Sequence, residues 1–309
     1  MKAVRIHHFG GPEVLEFEDV AVPHPKADEI LVKVHAASMN PVDYKTREGH
    51  FAVVSEDKLP VTLGRDIAGT VEACGTAVHD FQDGDPIFAL LPADRGGYAE
   101  YVAFKATDAA PMPRTLNFAM AASVPLAAMT AWQGLIDHGK MKSGEKVLVH
   151  GGAGGVGHFA IQIAKAHGCK VYTTVSNRDL AFVRGIGADE VIDYHAERFE
   201  DRVVGIDLVL DLVGGDTQKR SYSVVKFGGR LISTLMEPER ELCKRLGIHG
   251  AHYMTAPNAG ELREIGKLID KKKIRPIVSG MLPLTEVRVG QEILAHEHPF
   301  GKLVLQLAS

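Results

Sequence analysis

Cysteine is scarce in this chain of 309 residues, which contains only Cys74, Cys169 and Cys243. No two of them form a Cys-x-x-Cys pair. A disulfide framework or a structural zinc cage needs cysteines at repeated short spacings, so neither is expected. The 15 histidines include close pairs, but no pair has cysteine or carboxylate companions at ligand spacing. The sequence therefore predicts no metal site.

An excess of charge of one sign is also lacking. The 35 Lys and Arg residues nearly balance the 39 Asp and Glu residues, and the net charge is -4. The largest basic cluster is Lys271–Lys273, which is typical of the solvated cationic end of a helix. A nucleic acid is not expected as a partner, because surfaces that bind nucleic acids are strongly basic.

Apolar runs long enough for export or membrane insertion are few. The N-terminus, MKAVRIHHFGG, lacks the apolar core of a signal peptide, so we expect a cytoplasmic protein. The segment 115–136 carries no charge and has the length of a membrane span, but it contains Asn117, Pro125 and Gln133 and is rich in alanine. We expect it to form a buried helix at a domain junction, and no membrane is expected as a partner.

The sequence before about residue 110 has short apolar alternations separated by turns. In EILVKVHAA, for example, Ile30, Val32 and Val34 fall on one face of a strand. This pattern predicts a β-rich domain with an antiparallel sheet or barrel.

After residue 145 the pattern changes, because apolar runs of strand length alternate with helical stretches. Such alternation is typical of βαβ units and a parallel sheet. Six strands in this order predict a doubly wound Rossmann fold, so the fold class is α/β. The predicted strands are 146–150, 170–175, 191–193, 207–212 and 230–234, with GIHGAHYM (247–254) as the sixth.

The C-terminal part of the chain exceeds the six strands of a Rossmann unit. It predicts a helix at 259–273, a strand at 275–281, a helix at 285–296 and a strand at 301–307. We therefore expect the chain to return to the first domain. The predicted organisation is a β-rich domain over 1–121, completed by 257–309, with a nucleotide-binding domain inserted over 122–256.

A cluster of glycines, GGAGGVG, stands between the first predicted strand of this inserted domain and the helix that follows. Gly152, Gly154 and Gly157 match the Gly-x-Gly-x-x-Gly pattern of dinucleotide-binding sites, although a tight turn without a ligand is an alternative. In the pattern, the glycines allow a tight turn, the approach of the pyrophosphate and close helix packing. His158 and Phe159 replace the Lys and Ser or Thr of a P-loop, so ATP hydrolysis is not expected.

The end of the second predicted Rossmann strand distinguishes NADPH from NADH. An acid about 20 residues beyond the glycines binds the ribose 2′-hydroxyl in NAD proteins. Here Ser176 stands at that place, and Arg178 follows it. Because a hydroxyl and a guanidinium donate to a phosphate whereas a carboxylate repels it, we predict NADPH. The alternative is that Asp179 takes the role of the acid and that Arg178 is only a solvated residue.

These motifs together resemble the medium-chain dehydrogenase/reductase superfamily, and within it the zinc-independent quinone oxidoreductase branch. The resemblance implies a GroES-like catalytic domain and a Rossmann domain with a cleft between them, and usually a homodimer. It covers nearly the whole chain, and it is carried by NPVDYKTREG, LGRDIAGTVEACG, GGYAEYV, AASVPLAAMTAWQGL, the glycine cluster, GADEVIDY, DLVLDLVGG and FGKLVLQL.

Zinc-containing members of that superfamily hold their catalytic metal with a cysteine in the segment equivalent to SMNPVD and a histidine in the segment equivalent to GRDIAG. This chain has Asn40 and Arg65 at those places, and it lacks the third ligand and the four-cysteine lobe. Asparagine is a poor zinc ligand, and arginine stays protonated without a lone pair. Zinc-dependent alcohol dehydrogenase chemistry is therefore not expected.

The resemblance also implies positions for the cofactor. It places Ser176, Arg178 and Tyr194 around the adenosine 2′-phosphate, although Tyr194 could instead pack at a strand end and Thr130 could bond to its own helix. The other implied contacts are Gly152, Gly154, Gly155, Val156 and Gly157 at the pyrophosphate, Met129, Thr130, Val213 and Ser233 at the ribose and nicotinamide, and Lys302 from the C-terminal part.

The expected chemistry is hydride transfer to a quinone or a conjugated enone, which places negative charge on a carbonyl oxygen. A fixed hydrogen-bond donor at that oxygen lowers the barrier. We predict Asn40 as this donor, with Tyr44 and Lys45 as the next candidates. Alternatively, Asn40 only caps the turn before Pro41.

The sequence therefore predicts an NADPH-dependent reductase of quinones or related α,β-unsaturated carbonyl compounds. Two alternatives remain open. One is an alkenal or enone double-bond reductase, in which the hydride goes to the β-carbon. The other is an NADPH-binding regulatory or structural protein with little catalysis.

Overall fold

The computed structural model describes residues 1–51 and 54–307, which form sixteen β-strands and nine α-helices. The strands are β1 (Lys2–Ile6), β2 (Glu16–Asp19), β3 (Glu29–Ser38), β4 (Val61–Thr62), β5 (Asp66–Cys74), β6 (Pro86–Leu90), β7 (Tyr101–Lys105), β8 (Ala109–Pro111), β9 (Lys146–His150), β10 (Lys170–Val175), β11 (Glu190–Asp193), β12 (Ile206–Asp211), β13 (Val225–Ser233), β14 (His249–His252), β15 (Val278–Pro283) and β16 (Lys302–Gln306). The helices are α1 (Pro41–Arg47), α2 (Phe118–Ala122), α3 (Pro125–Trp132), α4 (Gly157–Ala166), α5 (Leu180–Gly185), α6 (Gly215–Ser221), α7 (Arg240–Leu246), α8 (Ala259–Asp270) and α9 (Val287–His296).

These elements form two compact units. The first unit comprises the described residues of 1–126, 257–270 and 276–309. The second unit comprises residues 127–256 and 271–275.

The first unit is built on a seven-stranded sheet with the order β15-β16-β3-β5-β6-β8, in which β7 also pairs with β3. All pairs in it are antiparallel except β15 with β16. Ile30, Val32 and Val34 of β3 are at most 1% exposed and belong to the core, as their alternation predicts. The predicted β-rich domain is therefore confirmed.

The second unit is built on a six-stranded parallel sheet with the order β11-β10-β9-β12-β13-β14. Counted along the chain, this is the order 3-2-1-4-5-6 of the doubly wound Rossmann fold, so the predicted fold class is confirmed. The predicted strands 146–150 and 170–175 coincide with β9 and β10, and the sixth predicted strand contains β14.

The uncharged segment 115–136 is not the single helix that we predicted. It contains α2 and α3, and a π-helical turn follows over Gln133–His138. Proline lacks an N–H and is favoured in the first turn of a helix. Pro125 therefore prevents α2 from continuing and is the first residue of α3. No helix in the described part of the chain is long and apolar enough to cross a membrane.

The C-terminal part of the chain returns to the sheet of the first unit. Strand β16 pairs with β3 in an antiparallel register in which Val304 faces Ser38. This pairing brings Lys302 beside the segment that follows β3, where Met39 donates its N–H to the Leu303 carbonyl at 2.9 Å. The sheet therefore joins two parts of the sequence that both contain predicted site residues.

Candidate functional site

The glycine turn between β9 and α4 is shaped first by packing within the second unit. Gly151 has a φ of +76°, which lies in the left-handed region that glycine adopts readily. A Cβ on Gly152 would lie 2.0 Å from Thr173 Oγ1, and one on Gly157 would lie 2.2 Å from the Gly151 carbonyl oxygen. Both contacts are far below van der Waals distance. The turn therefore requires glycine at positions 152 and 157 even without a ligand.

Gly154 differs from these two positions. A Cβ there would meet nothing closer than the Gly151 carbonyl oxygen at 3.5 Å, which is an ordinary contact. The neighbouring Gly155 and Val156 are partly exposed, and their N–H groups donate no hydrogen bond to any described residue. Bare main chain with unpaired donors at a helix start fits a pyrophosphate. Packing does not explain this glycine, whereas a dinucleotide does.

The end of β10 contains both a hydroxyl and an acid. Ser176 Oγ donates a hydrogen bond to Asp179 Oδ2 at 2.7 Å, and Arg178 Nε lies 3.6 Å from the same oxygen. The Arg178 side chain is 62% exposed, whereas Asp179 is buried. Both alternatives from the sequence are therefore present here: an exposed guanidinium suited to a phosphate, and a carboxylate, already bonded to the Ser176 hydroxyl, suited to a ribose hydroxyl.

Tyr194 follows β11 and is 56% exposed, with its ring centroid 4.3 Å from that of His195. A side chain with this exposure has little packing to hold it. Its position therefore does not support the alternative in which Tyr194 only packs against the core.

A buried carboxylate that we did not single out in the sequence organises the carboxyl end of the second unit's sheet. Asp211 Oδ1 accepts hydrogen bonds from the Val213 and Gly214 N–H groups at 3.1 and 2.8 Å. Asp211 Oδ2 accepts from Ser233 Oγ at 3.0 Å and from Gln218 Nε2 at 3.2 Å. Asp211 thus holds the ends of β12 and β13 together at the edge where a Rossmann fold binds its ligand. The segment DLVLDLVGG places an acid directly before the loop, which is the sequence feature that could have indicated it.

The predicted nicotinamide-site residues of the second unit have different surroundings. Val213 is 49% exposed, but Ser233 is fully buried and its hydroxyl is bonded to Asp211. Met129 is buried, and the Thr130 hydroxyl lies 2.7 Å from the hydroxyl of Thr255. The contacts predicted between these residues and the cofactor remain predictions.

The first unit contains a buried polar cluster at the start of α1. The Asn40 N–H donates to Asp43 Oδ2 at 2.7 Å. In its side chain, Nδ2 donates to Asp66 Oδ2 at 2.9 Å, and Oδ1 accepts from the Lys302 ammonium. Asn40 is only 4% exposed. The Asn40 amide, our first predicted donor to the substrate, is therefore engaged within the unit.

Lys302 is the buried cation of this cluster. Its Nζ also donates to the Met39 carbonyl at 3.1 Å and lies 3.7 Å from Asp66 Oδ2. Burial lowers the pKa of Lys302, and the neighbouring Asp66 acts in the opposite direction. Asp66 is fully buried and also accepts from Ser38 Oγ at 2.7 Å. Lys302 thus binds the loop after β3 to the start of β5.

Asp43 is a second buried acid in the cluster. Its Oδ2 accepts a hydrogen bond from the Tyr98 hydroxyl at 2.8 Å in addition to the one from Asn40. Burial raises the pKa of Asp43 to about 6. The side chain fixes the first turn of α1, because an acid in the third helical position bonds back to the residue before the helix.

Tyr44 and Lys45 on α1 are half-buried, and neither the hydroxyl nor the ammonium has a hydrogen-bond partner among residues 1–51 and 54–307. Burial raises the pKa of Tyr44, and Glu48 adds to this effect. The phenol therefore stays protonated at neutral pH and is available as a donor.

Two family models match the sequence. The one described as the alcohol dehydrogenase GroES-like domain matches residues 26–114, and the one described as a zinc-binding dehydrogenase matches residues 186–305. Within the part of the chain that the structure describes, no group of three or more His, Cys, Asp or Glu side chains could hold a metal ion.

The chain is also similar to characterised proteins over its whole length. It is 35% identical to the chloroplastic NADPH-dependent alkenal/one oxidoreductase of Arabidopsis thaliana, with 99% of this chain and 79% of the relative covered. It is 37% identical to the quinone oxidoreductase structure from Coxiella burnetii, with a TM-score of 0.92 and coverage of 100% and 99%. The Escherichia coli quinone oxidoreductase structure complexed with NADPH is 27% identical, with a TM-score of 0.90 and coverage of 99% and 100%.

The two kinds of glycine in the turn lead to opposite expectations. Gly157→Ala should lower the free energy of unfolding by about 2 kcal/mol, because its Cβ overlaps the main chain. Gly154→Ala should leave stability within about 0.5 kcal/mol but raise the dissociation constant for NADPH about tenfold, because the methyl group occupies the open space over the turn. Chemical denaturation and NADPH fluorescence titration measure these effects. Unchanged NADPH affinity in a folded Gly154→Ala variant would contradict a pyrophosphate site.

The buried cation of the first unit leads to a further expectation. Lys302→Met should cost about 3 kcal/mol of stability, because Asp66 then stays buried without its cation. Adding Asp66→Asn should recover part of that loss, which a double-mutant cycle of urea denaturation measures. The exposed Lys105 provides the control Lys105→Met. Strictly additive costs of the two substitutions would show that Lys302 and Asp66 do not interact.

Proposed function

This chain belongs to the zinc-independent quinone oxidoreductase branch of the medium-chain dehydrogenase/reductase superfamily, and we propose that it is an NADPH-dependent oxidoreductase that transfers a hydride to quinones or related α,β-unsaturated carbonyl compounds. The observation that carries the proposal is the open Gly154 turn, which packing alone does not require. The similarity to quinone oxidoreductases and to an alkenal/one oxidoreductase supports the choice of acceptors.

NADPH is the proposed cofactor. One relative is named as NADPH-dependent, and a quinone oxidoreductase of the same fold has been solved with NADPH. In this chain the exposed Arg178 would bind the 2′-phosphate, the Ser176 hydroxyl would turn from Asp179 to donate to it, and Tyr194 would lie beside it. The N–H groups of Gly155 and Val156 would bind the pyrophosphate.

The chemistry that a bound reduced nicotinamide supplies is a hydride at its C4 atom. The residues of this chain must orient the acceptor and stabilise the negative charge that develops on its oxygen. We assign that second task to Tyr44 in preference to Asn40. The phenol is protonated and has no partner among the described residues, whereas the Asn40 amide is occupied by Asp66 and Lys302. Lys45 is the second candidate.

The alternatives from the sequence differ in what they require. A double-bond reductase uses the same residues but directs the hydride to carbon, and the similarity to the alkenal/one oxidoreductase favours it as the second candidate function. A binding protein with little catalysis needs the nucleotide site alone. A homodimer remains part of the proposal on the family resemblance.

Turnover should be tested with NADPH and a panel of acceptors. We expect loss of absorbance at the wavelength of NADPH with 1,4-naphthoquinone and with 2-alkenals, and slower loss with NADH. Product analysis then distinguishes reduction at oxygen from reduction at the β-carbon. If NADPH binds tightly but no acceptor is reduced, the protein is a binding protein and the proposed activity is wrong.

The cofactor preference depends on the charges at the end of β10. Ser176→Asp should raise the KM for NADPH about tenfold and change the KM for NADH much less, because a second carboxylate repels the 2′-phosphate. Asp179→Asn should instead lower the KM for NADPH, since it removes a carboxylate partner of Arg178. Ser176→Ala is the matched uncharged control. If Asp179→Asn instead weakens NADH binding alone, Asp179 is the ribose ligand and NADH is the cofactor.

A further inference from the structure

A cavity of about 670 Å³ lies within the first unit, and the residues that line it carry an excess of positive charge. Gly64 borders it, and so does Thr46 of α1, which directly follows Tyr44 and Lys45 in the sequence. The basic side chains along the cavity are Arg5, Lys26, Lys58, Arg65 and Arg95, and the acidic ones are Glu29, Asp43 and Asp94.

The acids of the cavity do not balance this charge. Glu29 and Asp94 both pair with Arg95, at 3.4 and 2.8 Å. Asp43 is buried and bonded to Tyr98, and burial raises its pKa to about 6. None of the remaining basic side chains forms an ion pair with a described acid of the cavity, although Arg5 pairs with Glu18 at 3.6 Å.

Arg65 is one of the half-buried cations; burial lowers its pKa, and the nearby acids Asp43, Asp66 and Asp94 act in the opposite direction. Its Nε donates to the Leu91 carbonyl at 2.9 Å, but no described residue forms an ion pair with it or accepts from its two Nη groups. Asp66, the nearest acid in sequence, is engaged by Ser38, Asn40 and Lys302. The two Nη groups of Arg65 therefore remain able to donate to a further acceptor in the cavity.

The same cavity also offers apolar surface. Phe51, Val54, Pro60 and Val61 line it together with Arg65. A guanidinium fork matches the two oxygens of a carboxylate, and a ring or alkyl chain fits the apolar walls. The cavity is therefore suited to a ligand that combines an apolar body with one anionic group.

We propose that Arg65 binds a carboxylate on the acceptor, so that the preferred substrates are quinones or enones that carry an acidic side chain. This inference rests on the proposed function, because it assigns the substrate class of the same activity. Arg65 then determines specificity through binding and leaves the hydride chemistry to other groups.

A matched pair of acceptors tests the proposal: 2-methyl-1,4-naphthoquinone with a propionate chain at C3, and the methyl ester of that acid. The chain insulates the quinone from the carboxylate, so the two compounds differ mainly in charge. The wild-type protein should prefer the acid. Arg65→Gln should lower kcat/KM for the acid about tenfold and leave the ester within about twofold, and added salt should weaken the preference for the acid.

Two further variants keep the result interpretable. Arg65→Lys retains the charge without the fork and should retain part of the preference. Arg114→Gln removes an exposed arginine of the same unit that does not line the cavity, and it should change nothing. Equal losses for acid and ester in Arg65→Gln, or a change confined to the KM for NADPH, would overturn the assignment.

Calorimetric titration separates this inference from the proposed function. The acid should bind wild-type protein more tightly than the ester, and Arg65→Gln should abolish the difference. If neither quinone is reduced but the acid still binds through Arg65, the proposed activity fails and the anion site stands. If both quinones are reduced and bind equally well, the activity stands and the anion site fails.

Discussion

At the turn between β9 and α4, the proposed nucleotide site of this protein, close packing leaves no space for side chains at two positions. The chain leaves β9, turns under Thr173 and begins α4 so closely that Gly152 and Gly157 have no room for a Cβ. This close packing exposes the N–H groups of Gly155 and Val156 at the helix start. Gly154 has room for a side chain yet lacks one. The turn thus contains glycines that the fold requires and one, Gly154, at which a Cβ would meet no close contact.

In the first unit, a buried lysine holds separate segments of the chain together. Lys302 arrives from the C-terminal strand and bonds to Asn40 and Met39 near Asp66. Buried charges are tolerated when partners satisfy them, and here the partners are amide, carbonyl and carboxylate oxygens. One consequence is chemical: both ends of the Asn40 amide are engaged within the loop, whereas the hydroxyl of Tyr44, one helix turn later, has no hydrogen-bond partner among the described residues.

Periodicity in the sequence predicted strand positions correctly where the pattern of apolar residues was unambiguous. The ends of β9 and β10 agree with the predicted strands because both are short runs rich in apolar and β-branched residues, bounded by turn residues. The same approach failed over 115–136, where composition indicated one helix but Pro125 divided it. It also missed Asp211, because an acid at the end of an apolar strand looks like an ordinary surface residue until its four hydrogen bonds are known.

The sequence by itself was enough to predict the parallel sheet and the place of the glycine turn. It also contains neither cysteine nor histidine at the positions where zinc-containing relatives bind metal. These features are local, because residue type and spacing within short stretches of the chain define them. Only the tertiary structure decided which polar groups remain available. The Asn40 amide is occupied because Lys302 lies beside it across 262 positions of sequence, and the Thr130 hydroxyl is paired with that of Thr255 across 125 positions. Burial and pairing are properties of such contacts, which no local pattern records.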